Sequence, residues 1–194
     1  MDETLIYEQC VAIDTAHVRE FYDRRAKAFD QGDTGAVLLG SQDTEILAQK
    51  NRFEQQEILP LLDTGRQTRV LDLGCGIGRW AEFLMPGCGF YCGIDFSPEM
   101  AGRSAETCRR LGMHFQVSCM SVLEAVLHGP SFWGGRFGSV IAAGVFVYLN
   151  DAELSQVFSG LPELLEERCT VYLTEPVGVS RRLTLREFPS DALQ

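Results

Sequence analysis

Val70-Leu71-Asp72-Leu73-Gly74-Cys75-Gly76-Ile77-Gly78-Arg79-Trp80 is the stretch whose reading decides the fold. It opens as a short apolar run, Thr68 to Leu73, which reads as a buried strand with turn formers before it and glycines after it. Gly then recurs at every second position, and a helical segment begins near Arg79. A strand feeding a Gly-rich turn feeding a helix is the recipe for a nucleotide-type pocket. Gly accepts positive φ and puts no Cβ in a ligand's way, while a helix begins with unpaired N–H groups. The spacing is G-x-G-x-G with an acid two residues ahead of the first Gly, which disfavours the G-x-G-x-x-G loop of an NAD-dependent dehydrogenase.

A second strand carries the other half of the signal. Gly89-Phe90-Tyr91-Cys92-Gly93-Ile94 reads as buried, with Asp95 just past its end. Asp95 lies about 20 residues beyond the glycines, where an acid can accept hydrogen bonds from a ribose diol. Ser97-Pro98-Glu99 then supplies an N-cap, a Pro at the first helical position and an acid in the first turn. The loop alone is a weak signal; the loop, the acid and the element starts together are a strong one.

Asp72-x-Gly74-x-Gly76-x-Gly78 followed by Gly93-Ile94-Asp95-Phe96-Ser97 resembles motifs I and II of class I S-adenosylmethionine (SAM)-dependent methyltransferases. The likeness runs more loosely from about Glu54 to Gly178. It implies SAM as cofactor and S-adenosylhomocysteine as product. It also implies that Gly74, Cys75, Gly76 and Gly78 pack on the methionine part and that Asp72 reaches the amino group, directly or through water. Asp95, with Phe96 beside it, would hold the ribose hydroxyls. Helices ahead of the first strand lie over the cofactor as a lid in this family, which makes Tyr22, within Phe21-Tyr22-Asp23-x-x-Ala26, a candidate SAM contact; ordinary packing is the alternative. In the family an acid follows strand three and meets the adenine. Here Cys119-Met120-Ser121 stands instead, so Met120 is expected on the adenine face and Ser121, or main-chain groups, at its edge. Gly144 falls on the motif IV position.

In chain order, Val18, Phe21, Tyr22, Ala26 and Phe29 give a helix from Thr15 an apolar face, Gln31 to Gln42 reads as a loop, and Thr44 to Leu62 as a second helix. After strand two come a helix from Pro98 to Leu111, strand three at His114–Ser118, a short helix at Val122–Leu127 and a Gly/Pro loop at His128–Gly135. Strand four is Phe137–Ala143, and Asn150 with Glu153 caps a helix expected over Asp151–Glu167. Strand five is Cys169–Thr174. The alternation predicts an α/β fold with a doubly wound, mostly parallel sheet, in the Rossmann-like order 3-2-1-4-5 of that family. We divide it into lid helices at 1–62, a core at 63–176 and a tail at 177–194, together one SAM-binding domain. The tail is too short for the helix and hairpin that complete the family's sheet. Either the sheet is shortened, the chain was trimmed, or a partner such as a second copy covers the open edge.

Composition narrows the partners. The 194 residues carry a net charge of −10, which disfavours phosphate backbones and hence nucleic acid. No apolar run is long enough to span a bilayer, and the acidic N-terminus lacks the order of a signal peptide. Seven cysteines without a CxxC pair read as free thiols of a reducing, cytoplasmic setting; Cys88 and Cys92 read as core thiols rather than metal ligands.

In-line displacement at a methyl carbon needs alignment and exclusion of water, and an oxygen nucleophile needs a base besides. Tyr148 and Glu175, at the ends of strands four and five, are the candidates for orienting an acceptor or taking its proton; the alternatives are packing for Tyr148 and capping or a salt bridge for Glu175. His17 near the lid helix is a third candidate, whereas His114 and His128 fall at the wrong end of the sheet. Trp80 is expected to pack the first helix on the sheet. The expected function is methyl transfer from SAM to an oxygen or nitrogen of a small molecule. The alternative is a non-catalytic SAM- or nucleotide-binding module that regulates a partner.

Overall fold

The computed structural model describes residues 13–27, 44–85 and 87–175. Phe29, the loop expected at Gln31–Gln42 and the tail from Val177 lie outside the described residues. Five strands, β1 (Arg69–Leu73), β2 (Phe90–Asp95), β3 (Phe115–Cys119), β4 (Phe137–Ala143) and β5 (Leu165–Thr174), form one parallel sheet in the order β3-β2-β1-β4-β5. Among the described residues seven α-helices surround it: α1 (Thr15–Lys27), α2 (Thr44–Phe53), α3 (Arg79–Leu84), α4 (Pro98–Arg110), α5 (Val122–Leu127), α6 (Gly129–Phe132) and α7 (Asp151–Gly160). None of the described helices is long and apolar enough to cross a membrane.

The side-chain period of two splits the core into two layers. From β1, Leu71 and Leu73 turn toward a cluster under α5 and α7 that includes Val126, Trp133, Phe137 and Val157. Val70 turns the other way, toward Trp80, Leu84, Tyr91, Cys108 and Ile141. Both faces of the central strands are covered, as a parallel sheet requires. Cys92 is buried and Cys88 half-buried, both as free thiols.

Three sequence expectations need correction. The helix expected over Asp151–Glu167 ends at Gly160, because Pro162 breaks the α-helical ladder and the chain continues as a 3-10 turn, Leu161–Leu164. Strand β5 consequently begins at Leu165 rather than Cys169, and the longer strand is accommodated by an irregularity opposite Phe137–Ser139. The loop expected at His128–Gly135 contains the single helical turn α6. The second N-terminal helix does run from Thr44, but it widens into a π-helical turn at Glu54–Ile58 and closes as a 3-10 turn at Leu59–Leu61.

Helix α1 lies across the carboxyl-end side of the sheet. Val18 packs with Tyr148, and Ala26 packs with Ile77 and Met100. The Ser97 hydroxyl donates to Asp23, which fastens the helix to the start of α4. That placement turns one side of α1 toward the ends of β1, β2 and β4.

Candidate active site

A cavity opens at the carboxyl ends of β1, β2 and β4, where the strand order reverses on either side of β1. This is where the switch-point rule puts ligands in open α/β sheets. Gly74, Gly76 and Gly78 all have positive φ, at 72°, 54° and 87°. For Gly74 the lack of a side chain is forced twice over, since a Cβ there would stand 2.7 Å from Val145 Cγ2. The loop is held by Asp95: its Oδ2 accepts from Gly76 N at 2.9 Å, and its Oδ1 accepts from Ser97 N at 2.9 Å. Burial pushes the Asp95 carboxyl up to about 6, against the favourable pull of those backbone N–H groups.

Of the residues expected from sequence, Tyr22, Gly74, Cys75, Gly76, Asp95, Phe96, Met120, Ser121, Gly144 and Tyr148 all line this one cavity. Tyr22 reaches it from α1 and Tyr148 from the turn after β4, and their hydroxyls meet at 2.6 Å. Burial, then the neighbouring Tyr148 phenol, pushes the Tyr22 hydroxyl well above the ordinary phenol range. The Ser121 hydroxyl accepts from Glu124 N at 3.1 Å and donates to Glu124 Oε2 at 2.8 Å, so it is engaged in capping α5.

Four expected residues are not on the lining. Asp72 sits beneath the Gly-rich loop, nearly inaccessible, and accepts from the Tyr91 hydroxyl at 2.7 Å. Burial pushes its carboxyl up to about 7. Gly78 lies behind the loop, against Ser104 and Thr107 of α4. His17 is exposed on α1 and only its backbone N–H is engaged, with Asp14. Glu175 is turned to the main chain after β4, accepting from the N–H groups of Val145, Phe146 and Val147 at 2.9, 2.8 and 3.4 Å. The capping alternative for Glu175 is thus the arrangement observed.

Two charged residues of the lining went unrecognised in the sequence as site residues: Arg79 and Glu153. Arg79 is 6% exposed, and its Nη1 donates to the fully buried Glu54 and to Asn51 Oδ1 at 3.2 Å. A signal existed, since Arg79 follows the last loop glycine directly, yet a charge at a helix start ordinarily reads as solvated. Glu153 was legible only as a cap, and it does accept from Asn150 N at 2.9 Å. Trp80 performs the packing expected of it, edge-on to Phe83 and Tyr172, and also lines the cavity.

The fold and this loop define a class I SAM-dependent methyltransferase. Within that class the chain belongs to the methyltransferase-domain family, which matches residues 70–168, more than half of its length. Solved structures share the fold at low sequence identity. One is phosphoethanolamine N-methyltransferase 1 of Haemonchus contortus (17% identity, 92% of this chain, 35% of that chain, TM-score 0.66). Another is magnesium protoporphyrin IX methyltransferase of Synechocystis PCC 6803 (18%, 81%, 74%, 0.55). A third is the N-methyltransferase NodS of Bradyrhizobium japonicum WM9 (18%, 77%, 68%, 0.55). The chain spans about a third of the length of the Haemonchus protein. No curated protein matches the sequence.

Proposed function

We propose that this chain binds SAM in the cavity at the ends of β1, β2 and β4 and directs its methyl group to a nitrogen or oxygen of a small molecule. The observation that carries this reading is the convergence of the left-handed Gly74–Gly76 turn, the Asp95 carboxylate and the Tyr22–Tyr148 pair on one cavity. Gly74 and Gly76 leave the backbone open to the methionine part. Asp95, ionised at neutral pH, has lone pairs left for ribose hydroxyls beyond the two N–H groups it already serves. Phe96, Met120 and Val122 supply apolar surface for the base. Bound there, SAM supplies a methyl carbon on a cationic sulfur, open to in-line displacement.

The chain's own part is to orient the acceptor and keep water out. Tyr22 and Tyr148 close the space between α1 and the turn after β4, and Glu153 adds a carboxylate on the same lining. Tyr22 is held too far above the ordinary phenol range to serve as a base, and Glu175 is committed to backbone N–H groups. Glu153 is likewise engaged with a backbone N–H, that of Asn150, so the described lining offers no uncommitted carboxylate as a base, and a neutral amine needs less help from a base than an alcohol does. This favours nitrogen over oxygen. The net charge of −10 argues against a nucleic-acid acceptor.

Calorimetric titration with SAM and with NAD tests the cofactor, with binding to SAM alone expected and tighter binding of NAD refuting it. Transfer of label from methyl-labelled SAM to matched amine and alcohol acceptors then tests the reaction. SAM binding with no transfer to any of a broad metabolite set would favour the non-catalytic, partner-regulating module instead.

A further inference from the structure

The charges around the cavity are unevenly spent. Among the described residues its lining carries three charged side chains, Arg79, Asp95 and Glu153. Arg79 is matched by the fully buried Glu54, and the Asp72 carboxyl bears electrostatically on the same pair. Asp95 serves the N–H groups of Gly76 and Ser97. Glu153 gives one oxygen to Asn150 N, and a carboxylate has lone pairs for more than one donor. Charge left over on the described lining is therefore negative, and it sits on Glu153.

The roof carries the same bias. Of the cations on α1, Arg24 pairs with Glu20 and Lys27 with Glu99, at 3.0 and 3.3 Å, while Arg19 and Arg25 lie over the rings of Phe96 and Phe21. None of these four lines the cavity. In the sequence to either side of α1, residues 1–14 hold four acids and residues 28–43 hold three, and neither stretch holds a Lys or Arg. The basic cluster Arg181, Arg182 and Arg186 belongs to the tail, outside the described residues. Beyond the cofactor cradle the lining is otherwise apolar or aromatic, with Ile13, Val18 and Leu149 beside Tyr22 and Tyr148. Aromatic rings attract a cation.

We infer that the methyl acceptor is an amine with an apolar body and no carboxylate or phosphate of its own, and that Glu153 is the residue that selects for its positive charge. This rests on the SAM reading above. The lone pair of the neutral amine forms the new N–C bond as the C–S bond breaks, and the electron pair of that bond stays on sulfur. Positive charge passes from sulfur to nitrogen, and the product ammonium then loses its proton to water. Throughout the step the charge keeps to a surrounding of carboxylate and aromatic rings, which favours it. A carboxylate acceptor would have to be held as an anion on the same lining as Glu153, and an amino acid would bring its own carboxylate there.

The test is transfer of label from methyl-labelled SAM to acceptors matched in body and differing in one anionic group. The pairs are phenethylamine with phenylalanine and 3-methylbutylamine with leucine, and 3-phenylpropanoate serves as a carboxylate acceptor. In each pair kcat/KM for the amine is expected to exceed that for the amino acid by at least about tenfold, from the repulsion of like charges, with no transfer to 3-phenylpropanoate. Glu153→Gln keeps an oxygen for Asn150 N and removes the charge. It is expected to shrink that ratio by roughly threefold or more while leaving S-adenosylhomocysteine affinity within about twofold and the thermal melt unchanged, a change in selectivity that a purely structural role would not produce. A ratio of one or less, methylation of 3-phenylpropanoate, or SAM binding with transfer to neither amine would overturn the acceptor class. A ratio that Glu153→Gln leaves unchanged would overturn the part given to Glu153. Failure of SAM itself to bind would instead remove the cofactor reading on which the inference stands.

Discussion

The hydroxyls of Tyr22 and Tyr148, 126 positions apart in the chain, meet at 2.6 Å inside the cavity, with the two rings edge-on at 5.7 Å. One residue belongs to α1 and the other to the turn after β4, so the contact spans the cavity and ties its roof to its floor. Val18 packs against the same tyrosine from one turn earlier on α1.

Replacing Tyr22 or Tyr148 by Phe removes that hydrogen bond and leaves the ring contact. Each single change is expected to cost about 0.5–1.5 kcal/mol of stability, and the double variant less than the sum of the two, since the two hydroxyls share one bond. Amide hydrogen exchange along α1 should accelerate in all three variants. Strict additivity in a double-mutant cycle would mean that the two hydroxyls do not couple.

Asp95 makes cofactor binding depend on pH. Its folded carboxyl is raised to about 6 by burial, and ribose hydroxyls need the ionised acceptor. Affinity for SAM is therefore expected to be flat above about pH 6.5 and to fall by up to tenfold per pH unit below about 6. Asp95→Asn should flatten the profile, and Asp95→Ala should weaken binding by roughly 1.5–3 kcal/mol. The stability of the unliganded protein runs the opposite way. A carboxyl whose folded pKa is raised favours the folded state when protonated, and that contribution is lost as pH rises through the folded value. With Asp72 raised to about 7 as well, stability from these two groups should grow as pH falls from about 7.5 toward 4. Chemical denaturation at several pH values, in wild type and Asp72→Asn, measures this.

Gly74→Ala combines two penalties, a left-handed φ of 72° and a Cβ set 2.7 Å from Val145. Together they are expected to cost about 2–4 kcal/mol and to abolish measurable SAM binding. Adding Val145→Ala should recover part of the stability, because it relieves the clash but not the backbone strain. No recovery would mean that strain alone accounts for the loss.

Glu175 holds the backbone after β4 through three N–H groups, so its effect on turnover should follow its effect on structure. Glu175→Gln keeps an acceptor and is expected to lose about 1–2 kcal/mol of stability with less than tenfold loss in kcat; Glu175→Ala should lose about 2–3 kcal/mol and more activity. A Glu175→Gln variant that is stable yet inactive, with the pH–rate profile shifted, would return Glu175 to the role of a base.

The Gly-rich loop, Asp95 and the parallel order of strands were legible because each is a local demand. Positive φ calls for Gly, a βαβ crossover calls for alternating strand and helix patterns, and an acid at a strand tip needs only a fixed distance along the chain. Strand β5 was read late because its bulge and the Pro162 break blur the border between helix and strand patterns. The fate of Glu175 was equally illegible, since carboxylates that cap a turn and carboxylates that take protons look alike in a sequence.

What the sequence determined by itself is the class of fold and the cradle at the tips of β1 and β2, since both follow from backbone conformation and spacing within some 30 residues. Only the tertiary structure decided which side chains share the cavity. It brought Tyr22 to Tyr148 and Glu54 to Arg79, turned Glu175 and Asp72 away from the lining, and left His17 on the outside. Those outcomes depend on how α1 and α2 dock across the sheet, and docking is set by long-range packing and by the pairing of buried charge, neither of which has a period along the chain.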